Sequence, residues 1–590
     1  MKCLWIATYL LSGALLLAET PKAERPVKTK IRANPDGSSR PSVIVLDEEE
    51  IEIAVPAVIP GVEAAIPDPV KALGEPRIMN FPAGIQMAVT ATTEKAQVHV
   101  NQGMNHLHGG WEFEASRHFA AAMKEDPDCL LAHWGMLITL LVPSPETDSA
   151  RVAVTARLLD LVDQGKGTEL ERGYCYGLIK YLEAGPAAAA SAFRKVAAKF
   201  PNDIQATIFA ALFSRGGYDD FGTATPDQEA AEKSLEALVE KHPESPLPLN
   251  ALLSIRADGP ELSNWVDLAV KLTQMSPDYP PYFHLLGHYE WRSGHHGKAG
   301  SAFGRSSTQY ELWMKANQAT VADCPEWVKA ECYRIVAMIS KGDFETGYAA
   351  ARRIAVTPAP KGRMASPGVR LLLWEAKTLP VRVLLHRSLP GNAGEALASL
   401  PSPEEIKVFQ GKSLAYWWID GLRFSLEARR LIDKKDFLEA RNVTNAMGQH
   451  GELFSKSQST ASALGERSSW TRGFRALEVL ASDLRGRLAL AGPKDRMGTA
   501  YNWFASAADR QRPAIMMFPP MLLTPMAIRL GEFYLAMDQP QEAIEAYQRA
   551  LTAFPNDMQA LLGLKLAYDA AKLSSESAAT EEKIRLLRAQ

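Results

Sequence analysis

The chain has 590 residues and 64.6 kDa, with 46% hydrophobic and 23% charged residues, a composition that excludes a disordered or fibrous protein. Sixty-five Lys and Arg against 68 Asp and Glu give a net charge of -3, which gives no electrostatic reason to expect a nucleic-acid partner. Five cysteines exclude a disulfide framework. The length fits about four domains or one extended repeat array.

Lys2 precedes an apolar run from Cys3 to Ala18 that Glu19-Thr20-Pro21 ends, the pattern of a secretory signal peptide over residues 1–18. Its sixteen residues fall short of the ~20 needed to span a bilayer, and no later segment is long enough, so the mature chain is expected to carry no transmembrane span. An exported protein, periplasmic, secreted or attached to the cell envelope, is the expectation.

Ten prolines fall between Thr20 and Pro82. Proline removes a backbone donor and biases its predecessor to extended conformations, so no long helix fits. Residues 19–92 therefore read as a proline-rich linker or stalk, largely disordered, with Ser42 to Val55 able to form a strand.

Beyond residue 90 the pattern is helical and repeats. A small residue is followed twelve positions on by Ala, four on by an aromatic, three on by a small residue and five on by Pro. The series runs Gly103, Ala115, Phe119, Ala122, Pro127; then Gly177, Ala189, Phe193, Val196, Pro201; then Gly287, Ala299, Phe303, Ser306 without the proline; and Gly531, Ala543, Tyr547, Ala550, Pro555, where Tyr534 adds a second ring. Small residues let two antiparallel helices approach, the ring fills the space between them, and proline ends the second helix. These segments resemble tetratricopeptide repeats, units of about 34 residues. Weaker copies around Ala231, Trp265, Phe344, Phe437 and Ala500 fill the intervals.

The expected fold is thus all-α, a tetratricopeptide-like helix-turn-helix solenoid coiled as a right-handed superhelix behind the linker. One array covers 93–356, the proline-rich stretch 357–415 forms an irregular hinge, and a second array covers 416–580. Asn101 to Gly135, Thr378 to Pro403 and Pro519 to Leu564 further resemble, in collinear order, an uncharacterised bacterial tetratricopeptide family with a DPDCAMAYWG-type signature. That resemblance implies the fold and leaves the function open.

No phosphate loop, HExxH, CxxC pair or GxSxG elbow occurs, so no cofactor and no catalytic residue are expected. Cys129 and Cys175 read as buried thiols; a bridge between them requires approach within ~7 Å. The strongest polar cluster is His284, His288, Trp291 and Arg292, spaced i, i+4, i+7, i+8 around Gly287. With Tyr174 and Tyr181 it is expected to line a concave groove that binds a protein or peptide with apolar anchors. The alternative is a metal-dependent hydrolase in which His284 and His288 share an ion and Glu290 or Glu183 is the base. His99, His106, His108 and His118 read as solvated or capping residues. Met516 to Leu523 reads as a buried crossover.

Overall fold

The computed structural model describes residues 39–46, 49–219, 222–389, 391–457, 465–492 and 497–589. The expected signal peptide, residues 1–18, lies outside them. The chain folds as antiparallel helix pairs stacked in sequence order and divides into two compact units.

The first unit comprises the described residues from 39 to 260, with 267–285 and 315–319. It contains α1 (Glu94–Gly109), α2 (Glu112–Glu125), α3 (Leu130–Thr139), α4 (Asp148–Asp163), α5 (Glu169–Ala184), α6 (Pro186–Lys199), α7 (Ile204–Ser214), α8 (Pro226–Lys241) and α9 (Pro246–Arg256). α10 (Val266–Met275) belongs to it from Asp267, and α11 (Pro280–Arg292) up to Leu285. Thr93 caps α1 by accepting from Ala96 N at 3.1 Å. Gly110, left-handed at φ 83°, ends it and turns the chain into α2.

The second unit comprises 261–266, 286–314 and the described residues from 320 to 589. Most of α12 (His296–Asn317) lies in it, followed by α13 (Pro325–Lys341), α14 (Phe344–Ala355), α15 (Leu379–Arg387), α16 (Asn392–Ser399), α17 (Leu414–Asp433), α18 (Phe437–Lys456), α19 (Arg467–Leu490), α20 (Met497–Arg510), α21 (Ala527–Ala536), α22 (Pro540–Ala553), α23 (Met558–Ala570) and α24 (Ser574–Ala589).

The small-residue spacing has a simple packing cause. A Cβ on Gly103 of α1 would sit 2.6 Å from the Phe119 ring of α2, and one on Gly135 of α3 would collide with the same ring. Phe119 is therefore held between two glycines from the helices on either side of it. Tyr547 of α22 is held in the same way between Gly531 of α21 and Gly563 of α23. Where the third position is not glycine, a ring replaces it: Phe209 packs on Phe193 with centroids 5.2 Å apart, and Tyr333 stacks on Phe303 at 4.7 Å. Gly177 and Gly287 supply the glycine side of these two sites. Ala115, Ala122, Ala189, Ala299, Ala543 and Ala550 are buried, Tyr534 is half-buried, and Pro127, Pro201 and Pro555 each stand two residues past a helix end. Gly135→Ala should cost ~1–3 kcal/mol through overpacking against Phe119. A thermal melt identical to wild type would show that the ring has room to move.

Residues 55–92 depart from the expected linker. β1 (Ser39–Leu46) pairs antiparallel with β2 (Glu49–Pro56), Ser39 opposite Pro56, where one strand was expected. Val55 at the end of β2, and after it Ala65, Ile66, Val70 and Ile85, are buried in the core formed by α1 to α9. The prolines exclude long helices here, but not burial: the segment docks as short turns, Val62–Ala65 and Asp68–Lys71, and extended chain.

The proline-rich stretch 357–415 also differs from an irregular hinge. Val369, Leu372, Leu379, Val381 and Val383 are fully buried. Pro367, Pro380 and Pro403 each occupy the first or second position of a helix, where the missing N–H has no intrahelical partner to lose. Proline opens these helices instead of breaking them. Met516 to Leu523 is a buried crossover as expected, and its backbone carbonyls are met by side chains: Arg472 donates to Pro519 O at 2.9 Å and Arg382 to Pro520 O at 3.1 Å.

Candidate functional site

The structure overturns the groove read from the sequence. Tyr174, Tyr181, His288 and Trp291 are buried, and His284 and Arg292 are half-buried. The reason is the next helix pair, which packs on that stripe. Tyr174 OH donates to Asp203 Oδ2 at 2.6 Å, and Tyr181 packs on Phe213 of α7. His288 Nδ1 lies 3.2 Å from Tyr333 OH, Trp291 Nε1 donates to Ser340 Oγ at 3.2 Å, and Arg292 donates to Ala514 O at 3.0 Å. The face is an inter-repeat seam.

The hydrolase alternative finds no geometric support. Glu290 is buried with Oε2 2.6 Å from His295 Nδ1, and Glu183 lies in the first unit, where Lys180 pairs with it at 3.7 Å. Among the described residues no group of three His, Cys, Asp or Glu has the arrangement to hold a metal ion. Cys129, Cys175, Cys324 and Cys332 are free and buried, and burial pushes the Cys129 thiol up to about 12.

What the sequence reading missed lies on another face of α1, where an extended segment, residues 79–92, is gripped by side-chain amides. Val89 N donates to Gln97 Oε1 at 2.8 Å, Met87 N to Asn101 Oδ1 at 3.0 Å, and Ile85 N to Asn105 Oδ1 at 2.8 Å. The carbonyls are used too: Gln97 Nε2 donates to Met87 O at 2.6 Å and Asn105 Nδ2 to Ile85 O at 3.4 Å. Two strand residues advance ~6.6 Å and four helical residues ~6.0 Å, so one side chain per helical turn meets every second amide of a chain running antiparallel to the helix.

The ends of the segment are held by other groups. Gln102 exchanges two hydrogen bonds with the backbone of Met79, at 3.1 and 2.8 Å. Thr90 N and Oγ1 donate to the two oxygens of buried Glu171 at 2.8 and 2.7 Å, and Thr92 N to Asp126 Oδ2 at 2.6 Å. Glu171 also closes the capping box of α5 with Thr168. At the bend between them, a Cβ on Gly84 would fall 2.5 Å from Asn105 Oδ1 and 2.6 Å from Phe81 Cβ, so the chain can pass there only as glycine. Ile85 is buried, Met87, Val89 and Ala91 are half-buried, and Gln86, Ala88, Thr90 and Thr92 are exposed. That period of two is how a strand presents one face to a receptor.

Beside this cradle lies a cluster of histidines, all buried and not solvated or capping as the sequence suggested. His99 Nδ1 is 3.0 Å from His118 Nδ1, so one ring donates and the other accepts. His118 stacks on His106 at 5.2 Å, and His106 Nδ1 is 3.3 Å from Tyr279 OH. His99 Nε2 is 3.2 Å from Glu75, and Phe81 packs edge-on against His106. Burial lowers all three pKa values, His106 to about 3, with Arg117 adding to the effect there. His108, bonded to Gln205 at 3.2 Å, is pushed down by burial to about 4.

Comparison with known proteins recognises one helix pair near the end of the chain. Residues 526–568, which hold α21, α22 and the start of α23, match the tetratricopeptide repeat family. No curated protein matches the chain. Among solved structures, the TPR domain of P58(IPK) is similar at 15% identity over 81% of this chain and 99% of that one, with a TM-score of 0.19. Yeast Tom70 is similar at 12% identity over 84% and 93%, with a TM-score of 0.25. Among the described residues no helix is long and apolar enough to cross a membrane. Beyond a short β-hairpin the described residues of each unit are built from tetratricopeptide-like helix pairs, with a recognisable tetratricopeptide repeat at 526–568.

Proposed function

We propose that this chain is an exported, non-catalytic scaffold that binds a protein partner by gripping an extended stretch of its backbone. The observation that carries the reading is the row Gln97, Asn101, Asn105, in which three side-chain amides at one per turn hold alternate peptide groups. Amide side chains offer both a donor and an acceptor, so they can satisfy a peptide group of any sequence. Specificity then falls to the apolar seats under every second residue.

The test is cross-linking in the source cells with a C-terminally tagged chain. A specific protein should be recovered with cross-links on Lys95, which lies on α1 and is more than half exposed. Recovery of nothing above an untagged control overturns the scaffold reading. Export is tested on the same material: N-terminal sequencing should begin at Glu19, and a chain that begins at Met1 overturns cleavage.

A further inference from the structure

We infer that residues 79–92 are a displaceable resident of a peptide-binding cradle, and that the cradle's external ligand is an extended, uncharged segment with an apolar residue at every second position. The inference rests on the scaffold reading and names the ligand and its competitor.

The resident itself defines the chemistry. From Ile85 to Thr92 the sequence is IQMAVTAT, eight residues without a charge. Its apolar series Ile85, Met87, Val89, Ala91 faces the helices, and Gln86, Ala88 and Thr92 are exposed, while Thr90 turns its hydroxyl to Glu171. Most of its directional contacts go to its backbone, and backbone is common to every polypeptide. An outside segment of the same pattern can therefore reproduce the contacts to Gln97, Asn101 and Asn105. Only Ile85 is seated in a closed pocket, so the position matching Ile85 is the one an outside ligand must fill with a branched apolar side chain. Gly84 next to it clears Asn105, and the ligand must carry glycine or end at that point.

Tethering sets the competition. The resident runs without a linker into Thr93, the cap of α1, so it competes intramolecularly, at an effective concentration at or above the order of millimolar. A free peptide with the same contacts is thus excluded from the wild-type chain until the resident is weakened. The resident is an internal competitor that raises the threshold for binding.

The experiment uses the full chain and a fluorescein-labelled synthetic peptide of residues 83–92, AGIQMAVTAT. Ile85→Asp in the chain spoils the resident and leaves the cradle unchanged. Peptide anisotropy should show binding to I85D at least tenfold tighter than to wild type. A peptide with Asp in place of its isoleucine should bind neither chain. Adding Asn101→Ala and Asn105→Ala to I85D should abolish binding. If I85D does not fold, Met87→Asp at a half-buried position carries the same comparison. Failure of the wild-type peptide to bind either variant, with helical circular dichroism intact, overturns the inference and makes the segment a fixed strap. A cross-linked partner recovered in that case would leave the scaffold reading standing on another surface, so the two failures are distinguishable.

Discussion

The first unit should lose its fold between pH 6.5 and 4, with the loss beginning above the range in which ordinary carboxylates are protonated. His106 has a folded pKa of about 3, and His108 and His133 of about 4, in each case because burial penalises the imidazolium. An unfolded histidine titrates near 6.5. The contribution of each neutral, buried ring is complete above that value and is lost as pH falls towards the folded one, because the unfolded chain takes up the protons first. At pH 5 each of the three costs about 2 kcal/mol, and together they reach the scale of a typical domain's ~5–15 kcal/mol stability. His99 and His118 act in the same direction: their Nδ1 atoms already share one proton, and a second leaves two donors facing each other. Thermal melts followed by circular dichroism from pH 7.5 to 4.5 should show a steep fall. His108→Gln should recover about 2 kcal/mol of it at pH 5. A melting temperature at pH 5 within a few degrees of that at pH 7.5 would mean these rings reach water when charged.

Asp483→Asn should be the most damaging single polar substitution in the second unit. The buried Asp483 carboxylate accepts from Arg487 Nε at 3.0 Å and from Arg429 at 3.2 Å, with Arg529 Nε at 3.6 Å. Burial alone would raise its pKa, but the three guanidiniums more than offset that and hold it well below the usual carboxylate range. In the other direction, burial, with Arg487 adding to it, brings Arg429 down to about 9. Asparagine keeps the shape and removes the only counter-charge that these arginines share, while Arg529 keeps Glu532. Breaking a buried pair in this way costs ~3–5 kcal/mol. Denaturant unfolding at pH 7 should report it, and an unchanged midpoint would show that water already screens the cluster. Asp483 stays ionised down to pH 4 because its pKa lies below the unfolded value. Its own contribution begins to be lost only below about pH 5, so it adds little to the histidine-driven loss over that interval.

The helix pairs were legible in the sequence because their cause is local. Gly103, Phe119 and Gly531, Tyr547 meet within one pair, so a fixed spacing records the contact. The groove was not legible. Whether Tyr174 or Trp291 faces a partner or the next repeat depends on how closely successive pairs stack, and neither residue's own helix encodes that distance. The short alternation Ile85, Met87, Val89, Ala91 was present, but the prolines upstream masked it, and its hydrogen-bond partners lie on a helix, not on a neighbouring strand. The amides Gln97, Asn101 and Asn105, one turn apart and directly downstream, were the available signal. The prolines at 367, 380 and 403 misled in the same manner, since residue type alone does not separate a helix opener from a breaker.

The match between strand and helix that builds the cradle is close but imperfect, and it behaves as a vernier. Each rung gains ~0.6 Å on the helix, so the misfit across the three rungs reaches ~1.2 Å. The row on α1 stops there because the position one turn further on, Thr93, is already the cap of the helix. Beyond it the amides of Thr90 and Thr92, in the other phase of the strand, go to Glu171 of α5 and Asp126 at the end of α2. α1 alone therefore reads five residues of extended chain, Ile85 to Val89. The length of chain held is set by how many helix ends converge on it, and not by the length of any one helix.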